Sequence, residues 1–158
     1  MGYDVRLTKG EVVIPAARTS PALNAIRALN QRDDLKSGWS RVDYPDGTFG
    51  RRPHWAFTDP AEIRSARSLT EMVRAFRYEA MTEPDGEVYG VELIGGTRAA
   101  GDDVHLWRAL APYVDAGGEL IWLGEDDKLQ RWSFDGSTMT VADGRMVFTA
   151  GRHGCGCI

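Results

Sequence analysis

The stretch Gly117–Phe148, GGELIWLGEDDKLQRWSFDGSTMTVADGRMVF, decides the fold. Glu119 to Leu123 reads as an apolar strand, Gly124-Glu125-Asp126-Asp127-Lys128 as a polar turn, and Leu129 to Phe134 as a second strand with Trp132 and Phe134 at alternate positions. Asp135-Gly136 closes that strand, and Thr138 to Val141 makes a third run. Asp143-Gly144 is a two-residue hairpin signal, after which Arg145 to Thr149 returns. The pattern predicts an antiparallel meander. Side chains alternate across a strand, so Trp122, Trp132, Phe134, Met139, Val141 and Phe148 fall on one apolar face that upstream helices must cover.

Moving toward the N-terminus, Asp102-Asp103 places acids at the start of a helix whose stripe is Leu106, Trp107, Leu110 and Val114. Pro112 kinks or shortens its last turn, and Gly117 ends it. Tyr78 to Met81 and Glu87 to Ile94 flank Glu83-Pro84-Asp85-Gly86 as a middle hairpin. Ser68-Leu69-Thr70-Glu71 has capping-box spacing and predicts a helix from about Leu69 to Arg77, with Met72, Val73 and Phe76 inward. Asp59-Pro60 reopens helix before it. Ser20-Pro21 opens a helix reaching about Gln31, with Leu23, Ile26 and Leu29 inward. Asp4 to Leu7 and Val12 to Pro15, split by Thr8-Lys9-Gly10, predict an N-terminal hairpin. The expected class is α+β: one domain over residues 1–150, an antiparallel sheet of N-terminal hairpin, middle hairpin and C-terminal meander, and two to four helices packed on one face. A flexible Gly/Cys tail is expected over residues 151–158.

Residues 32–58 are the least regular part, broken by Gly38, Pro45-Asp46-Gly47, Gly50 and Pro53. They hold Trp39, Tyr44, Phe49, Trp55 and Phe57 together with Arg41, Arg51, Arg52 and His54. A long irregular stretch this rich in aromatic residues points to function or core capping rather than disorder.

The 158 residues fit one domain able to bury a core without staples. The net charge of −4 hides an asymmetry: residues 1–70 hold 11 Lys/Arg against 8 Asp/Glu, and residues 71–158 hold 8 against 15. An acidic second half argues against duplex nucleic acid as a partner and leaves only a local basic patch. No apolar run of about 18 residues marks a membrane span. The N-terminus lacks a signal peptide's basic lead and apolar core. The two cysteines stand in the last four residues, so a reducing cytoplasm is the expected compartment, with no membrane partner.

Ala109-Leu110-Ala111-Pro112-Tyr113-Val114, then Gly118 to Asp126, then Arg131-Trp132-Ser133-Phe134 resemble a loose group of small, mostly uncharacterised bacteriophage and prophage proteins. In that group a Gly-Glu-Asp turn precedes a Trp-x-Phe strand. The resemblance covers most of residues 3–148 and is firmest over 106–136. It implies a phage-type accessory protein in the cytoplasm of a host bacterium and brings no catalytic or binding residue with it. The stretch around Arg51-Arg52 and the tail after Gly151 have no counterpart in the group.

Each chemical candidate competes with a plain structural role. Glu125, Asp126 and Asp127 could hold a divalent cation, but they lack calcium-loop spacing and fit a solvated turn. Gly95-Gly96-Thr97-Arg98-Ala99-Ala100-Gly101 could cradle an anion ahead of a helix, with Gly96 supplying backbone N–H and Arg98 charge. Against this, it lacks a P-loop ending, and Asp102-Asp103 sit where the phosphate would lie. Trp39, Tyr44, Phe49, Arg51, Arg52, His54 and Trp55 mix rings with cations as nucleotide and partner surfaces do; the same residues would look identical as core caps with outward arginines, which is the commoner arrangement. His153, Cys155 and Cys157 offer a soft metal only three ligands on glycine hinges. No nucleophile elbow, zincin or paired Cys-x-x-Cys motif occurs.

The expected function is a non-catalytic accessory protein that inhibits a host defence protein or sequesters a small anionic, nucleotide-like ligand. It is expected to carry no metal or other cofactor, and homo-oligomerisation is left open. A small enzyme acting on nucleotides or phosphates and a virion structural protein are the alternatives. The expected binding residues are Arg51, Arg52, His54, Trp55, Trp39, Tyr44, Arg98 and Gly96.

Overall fold

The computed structural model describes residues 3–99 and 101–148. In chain order the elements are β1 (Asp4–Glu11), a 3₁₀ turn, α1 (Thr19–Leu29), a second 3₁₀ turn, β2 (Gly38–Asp43), β3 (Phe49–His54), α2 (Pro60–Ser65), α3 (Leu69–Ala75), β4 (Tyr78–Thr82) and β5 (Val88–Leu93). There follow β6 (Thr97–Ala99), α4 (Asp103–Leu110) with a 3₁₀ extension over Ala111–Tyr113, β7 (Glu119–Gly124), β8 (Lys128–Phe134) and β9 (Met139–Arg145). The main sheet has the order β6-β1-β7-β8-β9 with every neighbouring pair antiparallel; β2-β3 and β4-β5 are separate two-stranded sheets. The α+β class with an antiparallel sheet is thus the observed one.

One face of the main sheet is buried. Trp122 and Leu120 on β7 and Trp132 and Phe134 on β8 lie there, with Met139 and Val141 of β9 half-covered. The cover is aromatic: Tyr78 stands edge-on to Trp107 at 5.4 Å and to Trp122 at 6.3 Å, and Trp107 meets Phe134 at 6.1 Å. Rings at these separations and tilts gain about 0.5–1.5 kcal/mol beyond their burial. Leu106, Trp107 and Leu110 of α4 are fully buried, as is Val114 just past the 3₁₀ turn, and α1 packs on α4 and α3 through Ala22, Leu23 and Ile26. Ser68 Oγ accepts from Glu71 N at 3.2 Å and Asp59 Oδ1 from Ala61 N at 2.8 Å, so these two helix starts carry their caps, whereas α1 begins at Thr19 with Ser20 inside it and no side-chain cap.

Three expectations give way. No N-terminal hairpin forms: β1 runs unbroken through Thr8-Lys9-Gly10, with a register shift between Leu7 and Lys9. The three residues that read as a turn are a β-bulge plus a close approach, because a Cβ on Gly10 would stand 2.0 Å from the Val91 carbonyl oxygen of the crossing β5. Past β1, Ile14 exchanges both backbone bonds with Val88 at 2.8 and 3.0 Å, fixing the middle hairpin across the sheet's end. Second, Asp143-Gly144 makes no turn. β8 is long enough to pair with β9 as far as Lys128–Arg145, and Gln130 Nε2 donates to Asp143 Oδ1 at 3.0 Å, holding the segment straight. Phe148 therefore leaves the apolar face and is 88% exposed. Third, residues 32–58 are not irregular: β2 and β3 form a six-pair hairpin around Tyr44-Pro45-Asp46-Gly47-Thr48, with Gly47 at φ 83°. Beyond Phe148, the tail expected over 151–158, with His153, Cys155 and Cys157, lies outside the described residues.

Candidate functional site: the arginine-aromatic hairpin

The β2–β3 hairpin has strands that alternate, yet neither face enters the core. Register places Trp39, Arg41 and Asp43 on the same face as Pro53, Arg51 and Phe49. On it Arg51 Cζ lies 4.2 Å from the Trp39 ring centroid and Arg41 Cζ 4.3 Å from that of Phe49, while Arg41 Nε also bonds Asp43 Oδ1 at 2.7 Å. The result is a ladder of two ring–guanidinium pairs set side by side on one face. Each cation–π contact of this exposed kind contributes about 0.5–1 kcal/mol, enough to order the side chains but not to explain their identity. Trp39 and Phe49 remain 51% and 58% exposed. Tyr44 lies beside Gly50 on the opposite side of the turn, where a Cβ would come within 2.5 Å of its hydroxyl oxygen.

The base of the hairpin is clamped. Asp102, a buried carboxylate just ahead of α4, accepts from Ser37 N at 3.1 Å and from Ala56 N at 2.9 Å through the same Oδ2, tying the residue before β2 to the one shortly after β3. Trp55 anchors the same end from inside: it is 1% exposed, donates Nε1–H to Asn30 Oδ1 at 3.0 Å, and packs on Phe76 and His105. Trp55 is therefore a core residue, and it leaves the set of exposed binding candidates. Next to it, Phe57 is exposed at φ 60°, a left-handed conformation that costs a bulky residue about 1–3 kcal/mol.

The sequence candidates separate into three groups. Trp39 and Arg51 meet on the exposed ladder. Arg52 and His54 point to the other face and line, with Lys36, Asn30 and Arg64, a recess of about 220 Å³ at the hairpin base. Gly96 and Arg98 belong elsewhere, on the turn into β6 and on β6 itself. There Gly96 N donates to Leu93 O at 3.1 Å and residues 97–99 pair with β1, so Gly96 belongs to a turn and Arg98 to an edge strand, away from the hairpin. Arg41 completes the ladder, and its signal was the alternation Trp39-x-Arg41-x-Asp43 facing Phe49-x-Arg51-x-Pro53. The role of Asp102 had no sequence signal, since its partners are backbone groups distant in the chain.

In the Gly124–Lys128 turn, Asp126 takes the Lys128 ammonium at 2.6 Å and the Tyr3 hydroxyl. These contacts hold the Asp126 carboxyl at about 2, and the hydrogen bond to Asp126 pushes the Tyr3 phenol up to about 12. Among the described residues no group of three or more His, Cys, Asp or Glu could hold a metal ion, and no helix is long and apolar enough to cross a membrane. No protein-family model, curated protein or solved structure matches the chain.

Proposed function

We propose that this chain is a non-catalytic binding protein whose β2–β3 hairpin docks onto a partner protein with an acidic, partly apolar surface. The observation that carries the reading is the ladder Trp39, Arg51, Arg41 and Phe49, ordered but half open to solvent on an arm with no place in the core. Trp, Tyr and Arg dominate the energetic centres of protein interfaces, and an arm of this composition supplies all three. A partner protein fits better than a sequestered nucleotide because the ladder is an open strand face, whereas small-ligand sites are concave and typically exceed about 300 Å³. The recess beside Arg52 and His54 falls short of that. Stacking of rings and guanidinium groups also supports the nucleotide reading, which remains the alternative. A phage-type accessory role, with a host defence protein as the partner, rests on the sequence resemblance over residues 106–136.

Native mass spectrometry of protein purified from its own host tests this. The wild type should carry a protein-sized adduct that the Trp39→Ala/Phe49→Ala variant lacks, with the variant still folded and melting only a few degrees lower. An adduct of nucleotide mass would favour sequestration, and an adduct retained by the double variant would move the site off the hairpin.

A further inference from the structure

The two outer strands of the main sheet are protected unequally. β6 spans only three residues and offers a short edge. β9 spans seven, Met139–Arg145, and carries neither proline nor lysine; it runs along β8 without a register shift, so no bulge turns it aside. Soluble proteins blunt their sheet edges with such devices, and a long edge that lacks them is a template for another strand.

The register says which backbone groups that edge presents. Beside the turn Asp135 N donates to Thr138 O at 3.3 Å, and along an antiparallel ladder hydrogen-bonded pairs alternate with non-hydrogen-bonded ones. With no shift in between, the bonded pairs that follow are Ser133 with Thr140, Arg131 with Ala142 and Leu129 with Gly144. The N–H and C=O groups of Met139, Val141, Asp143 and Arg145 therefore face outward, and among the described residues no strand meets them. The last β8 partner is Lys128, opposite Arg145; beyond it Met146 and Val147 continue the chain at 42% and 78% exposure.

We propose that β9 pairs antiparallel with β9 of a second copy of this chain, about a two-fold axis at Gly144, so that two main sheets join into one. Only the outward-facing residues can bond across such a junction, and charge chooses among the symmetric registers this leaves. An axis at Asp143 sets that carboxylate against its own copy, and an axis at Arg145 does the same to the guanidinium groups; like charges directly opposite are destabilising. Axes at Val141, Ala142 or Met146 leave both charges unpaired. At Gly144 each Asp143 stands opposite an Arg145, which gives two complementary pairs. Val147 then lies opposite the half-buried Val141 on the same sheet face and carries the apolar surface across the junction. Gly144 meets its own copy at a non-hydrogen-bonded pair, where Cα atoms approach to about 4.5 Å and a residue without a side chain fits. This pairing uses no residue of the β2–β3 hairpin.

Sedimentation of the full chain in reductant, which keeps Cys155 and Cys157 from linking copies, reads the result. The wild type should show a dimer whose fraction rises with concentration. Asp143→Arg and Arg145→Asp each set two like-charged pairs across the axis and should weaken association roughly tenfold or more, with circular dichroism showing both still folded. Mixed together, the two variants should form a one-to-one heterodimer, because every pair is again Arg against Asp. The double variant Asp143→Arg/Arg145→Asp should dimerise on its own for the same reason. In the wild-type dimer the amides of Val141, Asp143, Arg145 and Val147 should exchange slowly; in each single variant they should exchange faster, while those of Thr140, Ala142 and Gly144, bonded to β8, stay protected. A wild type that stays monomeric up to about 1 mM, single variants that associate like wild type, a mixture of the two that stays monomeric, or outward amides that exchange freely in the dimer would each overturn the proposal.

Discussion

Replacing Asp102 by Ala should loosen the working hairpin without unravelling the sheet beneath it. Its Oδ2 is the shared acceptor for Ser37 N and Ala56 N, so the truncation strands two partly buried N–H groups at once. Each stranded donor costs about 1–3 kcal/mol, and the more exposed Ser37 recovers water more readily, giving a total of about 2–4 kcal/mol. Asp102→Asn provides the control. An amide oxygen placed where Oδ2 sits keeps both bonds and loses only their charge assistance, costing about 1 kcal/mol. Chemical denaturation gives the global figure, and amide exchange locates it: the β2–β3 ladder amides should exchange roughly 30- to 900-fold faster in Asp102→Ala if the hairpin opens as a unit. β7 and β8 amides should follow only the global stability. If Asp102→Ala matched Asp102→Asn, or if hairpin exchange were unchanged, the clamp would be no more than a contact.

Gly10→Ala should destabilise strongly, by about 3 kcal/mol or more, because its Cβ meets Val91 backbone rather than a side chain that could swing away; a denaturation midpoint within error of wild type would disprove the crossing. Trp132→Ala should cost about 3–5 kcal/mol, whereas Phe148→Ala should stay within about 0.5 kcal/mol; equal losses would restore the hairpin at Asp143-Gly144. Asp126 has a depressed carboxyl, so its contribution to stability is present above the ordinary carboxylate range and lost as pH falls through about 2. Tyr3 has a raised phenol, so its contribution is full below its ordinary value of 10.0 and lost as pH rises through about 12. NMR titration of the two groups should show those midpoints, and removal of either partner should return the other toward its ordinary range.

The sequence was legible where one face is buried. Trp122, Trp132 and Phe134 on two strands, and Leu106, Trp107, Leu110 and Val114 on a helix with a Pro-shortened end, obey the periods that burial imposes. It was illegible where the force is not burial. Gly10 marks a backbone crossing and not a turn, a distinction that depends on β5, some 80 residues later in the chain. Asp143-Gly144 carries a strong local hairpin signal, but continued pairing with β8 overrides it. The hairpin of residues 38–54 escaped because both its faces are solvent-exposed, so its alternation is of arginines and rings rather than apolar against polar. Its residues were nevertheless singled out by composition. What composition could not do was separate Trp55, which is core, from Trp39, which is surface.

The central claim is that the hairpin ladder is the docking surface, and site-specific photo-crosslinking in the native host tests it most directly. A photoreactive phenylalanine analogue placed at Phe49 reports on the ladder, and the same group at Tyr89, an exposed aromatic on the middle hairpin, serves as the reference. The account predicts one dominant protein adduct from position 49 that disappears when Arg41 and Arg51 are both changed to Gln, and no such adduct from position 89. An adduct from position 89 with none from position 49 would contradict it.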